Sequence, residues 1–333
     1  MNEMLPPLVS VIVPIFNEET LIADCLQSLL DQDYPNHLEI IAVDNGSSDQ
    51  SAVIIKNFPV TYVLERRKGA AAARNAGARH AKGELLAFID ADCVAPQNWI
   101  SKLVASLQGE SYDIAGGDYV LETGRTLLED YLSFRNFYSQ KEFFFGNYPF
   151  LPWLLTGNLI VRRKAFFKVG GFEEIFQKRG EDIDFSWLLI LNGGKLNYLP
   201  DHEILQQRTW DLKSFYSKLF EDGKAMTLLR HRYGKLCLKE PDSEGSRFVK
   251  GSFQKLIRRG NKILKSESGI FRKIAYFFFA ITGHIVFLSG RGLDEMRFGL
   301  LKKPLPCGRF PAFGSLAGSF KPAANIPLTS VHA

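Results

Sequence analysis

Only four cysteines occur in the 333 residues, and they stand far apart at Cys25, Cys93, Cys237 and Cys307. No C-x-x-C pair is present, so neither a disulfide framework nor a zinc site is expected, and a reducing compartment such as the cytoplasm fits. Met1–Leu8 lacks a basic segment followed by an apolar run, so no secretory leader is expected. Neither G-x-G-x-x-G nor G-x-x-x-x-G-K followed by Ser or Thr occurs, which disfavours dehydrogenase and P-loop chemistry. No internal repeat is visible. The main apolar run past residue 224, Ile274–Leu288, has 15 residues and holds Thr282, Gly283 and His284. That is short of the ~20 needed to span a bilayer.

What is present is a chain with 46% apolar and 23% charged residues, enough for one large α/β domain and an appendage, or for two domains. The net charge of +5 conceals an asymmetry. Residues 1–223 carry 21 Lys and Arg against 30 Asp and Glu, whereas residues 224–300 carry 16 against 6. A basic C-terminal third on an acidic body points to an anionic partner. No nucleic-acid motif accompanies these dispersed charges, so no nucleic-acid partner is expected.

Val9–Pro14 reads as a buried strand, followed by Asn17–Thr20 and an apolar pattern at helical spacing from Leu21 to Leu30. Glu39–Val43 is a second strand, ended by the polar turn Asp44–Asp49. A short helix over Gln50–Asn57, a strand over Val60–Leu64, an Ala-rich helix over Ala70–Ala81 and a strand over Leu85–Ile89 follow. Strands alternating with helices predict a parallel sheet covered on both faces. Ligands bind such sheets beyond the carboxyl ends of the strands, where Asp44 and Asp90-Ala-Asp92 fall. From Ile114 to Val161 the pattern weakens among aromatic residues. A strand over Thr156–Val161 and helices over Arg163–Val169 and Glu181–Leu191 come next.

Two carboxylates one residue apart at a strand end, Asp90 and Asp92, repel each other unless neutralised; Mg²⁺ or Mn²⁺ completing its shell with substrate phosphates removes the conflict. A solvated strand-end turn accounts for that dipeptide equally simply. The cations Arg66–Lys68 and Arg74, set among small residues, are suited to clamping a diphosphate.

Taken in order, Val11–Pro14 with Asn17-Glu18, Val43–Asp49, Lys68-Gly69, Ala73–Gly77, Asp90–Asp92, Thr156–Asn158, Val169–Phe172 and Gly180–Phe185 resemble the family 2 glycosyltransferases over roughly residues 8–225. The resemblance implies a GT-A fold: a mainly parallel Rossmann-like sheet flanked by helices, here with a basic, helical C-terminal extension. It implies single-sugar transfer with inversion from a nucleoside-diphosphate sugar to a glycan or lipid-linked acceptor, with a divalent metal, in cell-surface polysaccharide or glycolipid assembly. A binding or scaffold protein that has lost catalysis is the alternative.

The same resemblance assigns roles. Asp44 takes the nucleobase, with Pro14, Asn17 and Glu18 shaping the pocket and Asp49 holding the turn or the base. Arg74 lies near the diphosphate, Asp90 faces ribose or metal, and Asp92 is the main metal ligand. Asp182 matches the catalytic base, with Glu181 and Asp184 as competitors; acidic residues complementing a helix dipole would produce the same pattern. Gly157-Asn158 is expected to line the donor sugar and Gly170–Phe172 to form a turn near the acceptor, with Phe172 as packing. Trp153 and Trp187 read as core.

The pattern departs from the family at His202, which is either a metal ligand or an exposed loop residue; Gln206 or Arg208 falls where many members carry a histidine. The expected divisions are a catalytic domain over 1–225, a basic helical extension over 226–303 and a Pro- and Gly-rich tail over 304–333. Ile274–Leu288 is expected to lie on an anionic membrane at the inner face of the plasma membrane, with a strained span or a core helix as alternatives.

Overall fold

The computed structural model describes residues 6–107, 112–122, 126–145, 150–237, 257–266 and 268–301. The expected 304–333 tail lies outside them. The elements run β1 (Val9–Ile15), α1 (Ile22–Leu30), β2 (Leu38–Asp44), α2 (Ser51–Ile55), β3 (Thr61–Leu64), α3 (Ala70–His80), β4 (Leu85–Ile89), β5 (Cys93–Val94) and α4 (Trp99–Ser106). There follow β6 (Ile114–Leu121), α5 (Leu127–Phe134), α6 (Lys141–Phe145), β7 (Asn158–Arg162), α7 (Arg163–Lys168), α8 (Glu181–Leu191), β8 (Leu196–Gln206) and α9 (Leu212–Tyr233). After a short 3₁₀ turn come helical residues 257–265 (α10) and α11 (Ile270–Leu301).

One eight-stranded sheet has the order β3-β2-β1-β4-β7-β6-β8-β5. The first four strands in that order pair in parallel, and β7 runs antiparallel to both β4 and β6. The parallel strands are apolar on both faces because both faces are covered. Ile12, Leu86 and Phe88 pack under α3 and α8, while Val11, Val13, Leu85 and Ala87 pack against α1 and α4. This register fixes the site: Ile15 lies opposite Asp44, so the loops leaving β1 and β2 emerge side by side.

The long strand β8 was not foreseen. Pro200 and Asp201 lie where the ladder breaks: Gly117 pairs with Leu199, but Tyr119 pairs with Ile204. The extra residues form a bulge, and a Cβ on Gly117 would sit 1.8 Å from the His202 carbonyl oxygen, so only glycine allows the approach.

The expected boundary at residue 225 falls inside α9, which runs unbroken from Leu212 to Tyr233. Nor does the apolar run end at 15 residues: α11 presents 23, Ile270–Gly292, long and apolar enough to cross a membrane by length and composition. One side of α11 packs on α5 and α9, with Tyr276, Phe279 and Ala280 beside Tyr131, Phe215 and Leu219. The helices touch backbone to backbone, since a Cβ on Gly290 would lie 2.1 Å from the Phe220 carbonyl and one on Gly223 would lie 2.2 Å from that of Phe287.

Candidate active site

Three strand-end loops converge beyond the carboxyl edge of the sheet. After β1, Asn17 adopts φ 54°, a left-handed conformation that Asn tolerates. Its side-chain oxygen accepts from the Ser48 amide at 2.8 Å, the Glu18 amide donates to Ser51 Oγ at 2.9 Å, and the Glu19 amide donates to Asp49 at 3.0 Å. Asp49 also accepts from the Ser51 amide, so it stitches the two loops. Asp44 is buried, accepting from the Ser47 amide at 2.8 Å and Tyr62 Oη at 2.9 Å. Pro14 sits in β1 opposite Val43.

Beyond β4, Asp90 and Asp92 do not face each other unrelieved. Asp90 accepts from Arg74 at 2.7 Å and from Tyr119 Oη at 3.1 Å. Asp92, buried, accepts from Arg208 Nε at 2.7 Å and Gln206 Nε2 at 3.2 Å. Arg208 also pairs with Glu18. Burial raises the Asp92 carboxyl, with Asp90 adding to the effect and Arg208 opposing it. Glu18 is pushed up to about 7, chiefly by burial against the pull of Arg208, with Asp92, Asp90 and Asp49 as like charges. Sequence reasoning placed Gln206 or Arg208 at the family's histidine position, but it did not see that both reach Asp92 or that Arg208 ties it to Glu18, 190 residues away.

Arg74 was expected beside a diphosphate. It is 5% exposed, its guanidinium divided between Asp90 and Glu181, which it holds at 2.8 Å. His202 is not an exposed loop residue: it is buried in β8 at 4% exposure, and burial, with Lys102 nearby, pushes it down to about 4. Asn158 was expected to line a donor sugar. It is fully buried, donating to the carbonyls of Asp118 and His202 and accepting from Trp99 Nε1, and so ties β6, β7, β8 and α4 together.

Gly157, by contrast, belongs to the site. A Cβ there would lie 2.0 Å from Tyr119 Oη and 2.4 Å from Asp90 Oδ2. Gly157→Ala is expected to cost about 1–3 kcal/mol of stability and to displace Asp90. Urea unfolding of the two proteins checks it.

At the N-terminus of α8 the three acidic candidates separate. Glu181 is held by Arg74. Asp184, fully buried, is held by Arg232 at 3.0 Å and Tyr233 Oη at 2.7 Å. Asp182 lies in the wall of a cavity and accepts from the Ile183 amide at 2.8 Å. Burial raises it to about 6, Glu181 adds to the shift and Arg179 opposes it. The chain Asp182-Glu181–Arg74–Asp90 therefore links the cavity to the strand ends. Behind it, Asn75 clamps the Gly171-Phe172 turn by two hydrogen bonds of 2.8 and 2.9 Å, and Phe172 packs against Phe88 and Phe185.

Among the described residues no three His, Cys, Asp or Glu side chains cluster as a ready-made cation site. The donors nevertheless suit one divalent cation shared with substrate phosphates: Asp92 is a buried carboxylate, and beside it Gln206 Oε1 is buried with no hydrogen-bond partner.

Residues 10–170 match the profile of Glycosyl transferase family 2. Glycosyltransferase AglE of Haloferax volcanii is 34% identical over 175 residues, covering 50% of this chain and 56% of that protein. Putative glycosyltransferase EpsH of Bacillus subtilis is 28% identical over 239 residues, 67% of this chain and 68% of that one. In three dimensions the chain resembles the Pyrobaculum calidifontis mannosyltransferase PcManGT, solved with GDP-Man and Mn²⁺, with a TM-score of 0.52, 19% identity and coverage of 90% of this chain and 77% of that chain. The fold is GT-A, and residues 10–170 are similar to glycosyltransferase family 2. The AglE match spans little more than half of that protein.

Proposed function

We propose that this protein transfers a single sugar, with inversion, from a nucleoside-diphosphate sugar to a hydroxyl of a glycan or lipid-linked acceptor, in cell-surface polysaccharide or glycolipid assembly. The observation that carries the reading is Asp182, which lines the cavity beside Glu181 but, unlike Glu181 and Asp184, is held by no ion pair among the described residues; it is raised to about 6 and joined through Glu181 and Arg74 to the donor-side Asp90. A base with a pKa just below neutral is ionised at working pH yet still basic enough to take a proton. The acceptor oxygen bonds to the anomeric carbon, its proton passes to Asp182, and the carbon–oxygen bond to the nucleoside diphosphate breaks. Asp44 and the stitched β1 and β2 loops hold the nucleoside, and Arg74 positions Asp90 and Glu181. Asp92, with Gln206 beside it, would hold Mg²⁺ or Mn²⁺, which when bound stabilises the negative charge of the leaving diphosphate.

Membrane contact is part of the reading. Ile270, Phe271, Ile274, Phe278, Ile281, Ile285 and Leu288 form an exposed apolar stripe along α11, near Lys262, Lys265, Arg272 and Lys273. Because the other side of α11 is packed on α5 and α9, spanning a bilayer would strip that interface away; lying in the anionic inner face of the plasma membrane keeps it.

Calorimetric titration with UDP, GDP and dTDP, with and without Mn²⁺, tests the donor site. Metal-dependent binding of one nucleotide, weakened at least tenfold in Asp92→Asn, is expected. Binding of none of them by folded protein would overturn the reading.

A further inference from the structure

The cavity beside Asp182 has a volume of about 300 Å³ and is walled by the segment that follows α5 and by α6, α8, α9, α10 and α11. Its walls are of two kinds. Phe143 and Trp153, stacked at 4.2 Å, form an aromatic part that Phe279 and Phe287 of α11 extend. The polar part carries four cations, Arg135, Arg179, Lys218 and Arg259. Asp222 serves two of them, accepting from Arg179 at 2.8 Å and from Lys218 at 2.7 Å. Among the described residues no carboxylate pairs with Arg135 or Arg259; Arg135 instead lies over the Phe137 ring at 4.6 Å. Glu181, the remaining acid besides Asp182, is already held by Arg74.

Positive charge in surplus within a partly apolar cavity is costly unless an anion enters. Its effect is legible in the cations themselves: burial, with Arg259 adding, pushes Arg135 down to about 10, and burial, with Arg179 adding, pushes Lys218 down to about 8. The helix that closes the cavity also bears the exposed apolar stripe. Phe279, Gly283 and Phe287 turn inward to the void while their neighbours Phe278, Ile281 and Ile285 turn outward. A cationic cavity and an exposed apolar surface thus lie on opposite sides of one helix, with Asp182 at the cavity's edge.

We propose that the acceptor is a lipid-linked phosphate or diphosphate, its anionic group held by Arg135, Lys218 and Arg259 and its hydrocarbon laid over α11, so that the sugar it carries presents a hydroxyl to Asp182. This rests on the glycosyltransferase reading and narrows its acceptor to one class.

The test uses the full chain without divalent cation and follows Trp fluorescence on titration with farnesyl diphosphate, farnesol and inorganic diphosphate. Farnesyl diphosphate is expected to bind at least tenfold more tightly than either of the others. Arg135→Gln and Arg259→Gln are each expected to weaken it about tenfold, while Mn²⁺-dependent nucleotide binding changes less than twofold. Arg259 is half-exposed, so its variant keeps the test open if Arg135→Gln misfolds. Affinity for farnesyl diphosphate unchanged in the folded variants, or matched by inorganic diphosphate, overturns the proposal. So does absence of farnesyl diphosphate binding by a protein that still binds a nucleotide. Loss of nucleotide binding in the unaltered protein instead strikes the underlying glycosyltransferase reading.

Discussion

Asp182→Asn is expected to lower kcat about 10³-fold, within the range a positioned general base supplies, while nucleotide affinity stays within twofold. In the unaltered enzyme the rate should rise with pH through about 6 as Asp182 ionises, because burial and Glu181 raise its pKa to that value; the variant should lack this limb. Stability gives a control of opposite sign. A carboxyl whose folded pKa lies above its ordinary 3.8 stabilises the fold relative to its ionised form below that value, and this is lost as pH rises through about 6. The Asn variant cannot ionise. It should therefore be the more stable protein at pH 7–8, with the difference vanishing towards pH 4. Steady-state rates from pH 5 to 8 and urea unfolding at both ends check the two halves. A variant that keeps its rate, folded and with the acid limb intact, removes Asp182 from the mechanism.

How far the candidate site was legible in the chain follows from how each residue is held. β1, β2 and β4 are buried on both faces, so their sequences are continuous apolar runs, and the polar residue ending each run marks the site edge: Asn17, Asp44, Asp90. Asp182 announces itself by its place between Gly180 and an apolar helix. Arg208 has no such signal. It follows a strand interrupted by Pro200 and Asp201, and its partners Asp92 and Glu18 are more than 100 residues away in sequence. The cavity cations are harder still, since Arg135, Lys218 and Arg259 sit at or on three different helices and converge only when α11 packs across α5 and α9. His202 misled in the opposite direction: a histidine near acidic motifs invites a ligand role, yet the bulge in β8 turns it into the interior.

Arg74→Met should be the most destabilising single change at the site, about 3–5 kcal/mol, the range for removing one partner of a buried ion pair. Arg74 is 5% exposed and its two terminal nitrogens serve two carboxylates, of which Glu181 is itself buried. Methionine fills much of the space beside the Phe172 ring, 5.8 Å from the guanidinium carbon, so the loss is electrostatic rather than a cavity effect. Lysine should fail nearly as badly, because a single ammonium cannot reproduce a fork that spans Asp90 and Glu181. Restoring neutrality separates the causes: Arg74→Met with Glu181→Gln should recover part of the lost stability, since one uncompensated carboxylate is removed with little change of volume. Urea midpoints at unchanged slope report these differences. If Arg74→Met unfolds within about 1 kcal/mol of the parent, the Asp90–Arg74–Glu181 link does not hold the donor edge to the acceptor cavity. The positioning of Asp182 would then have to come from the α8 backbone alone.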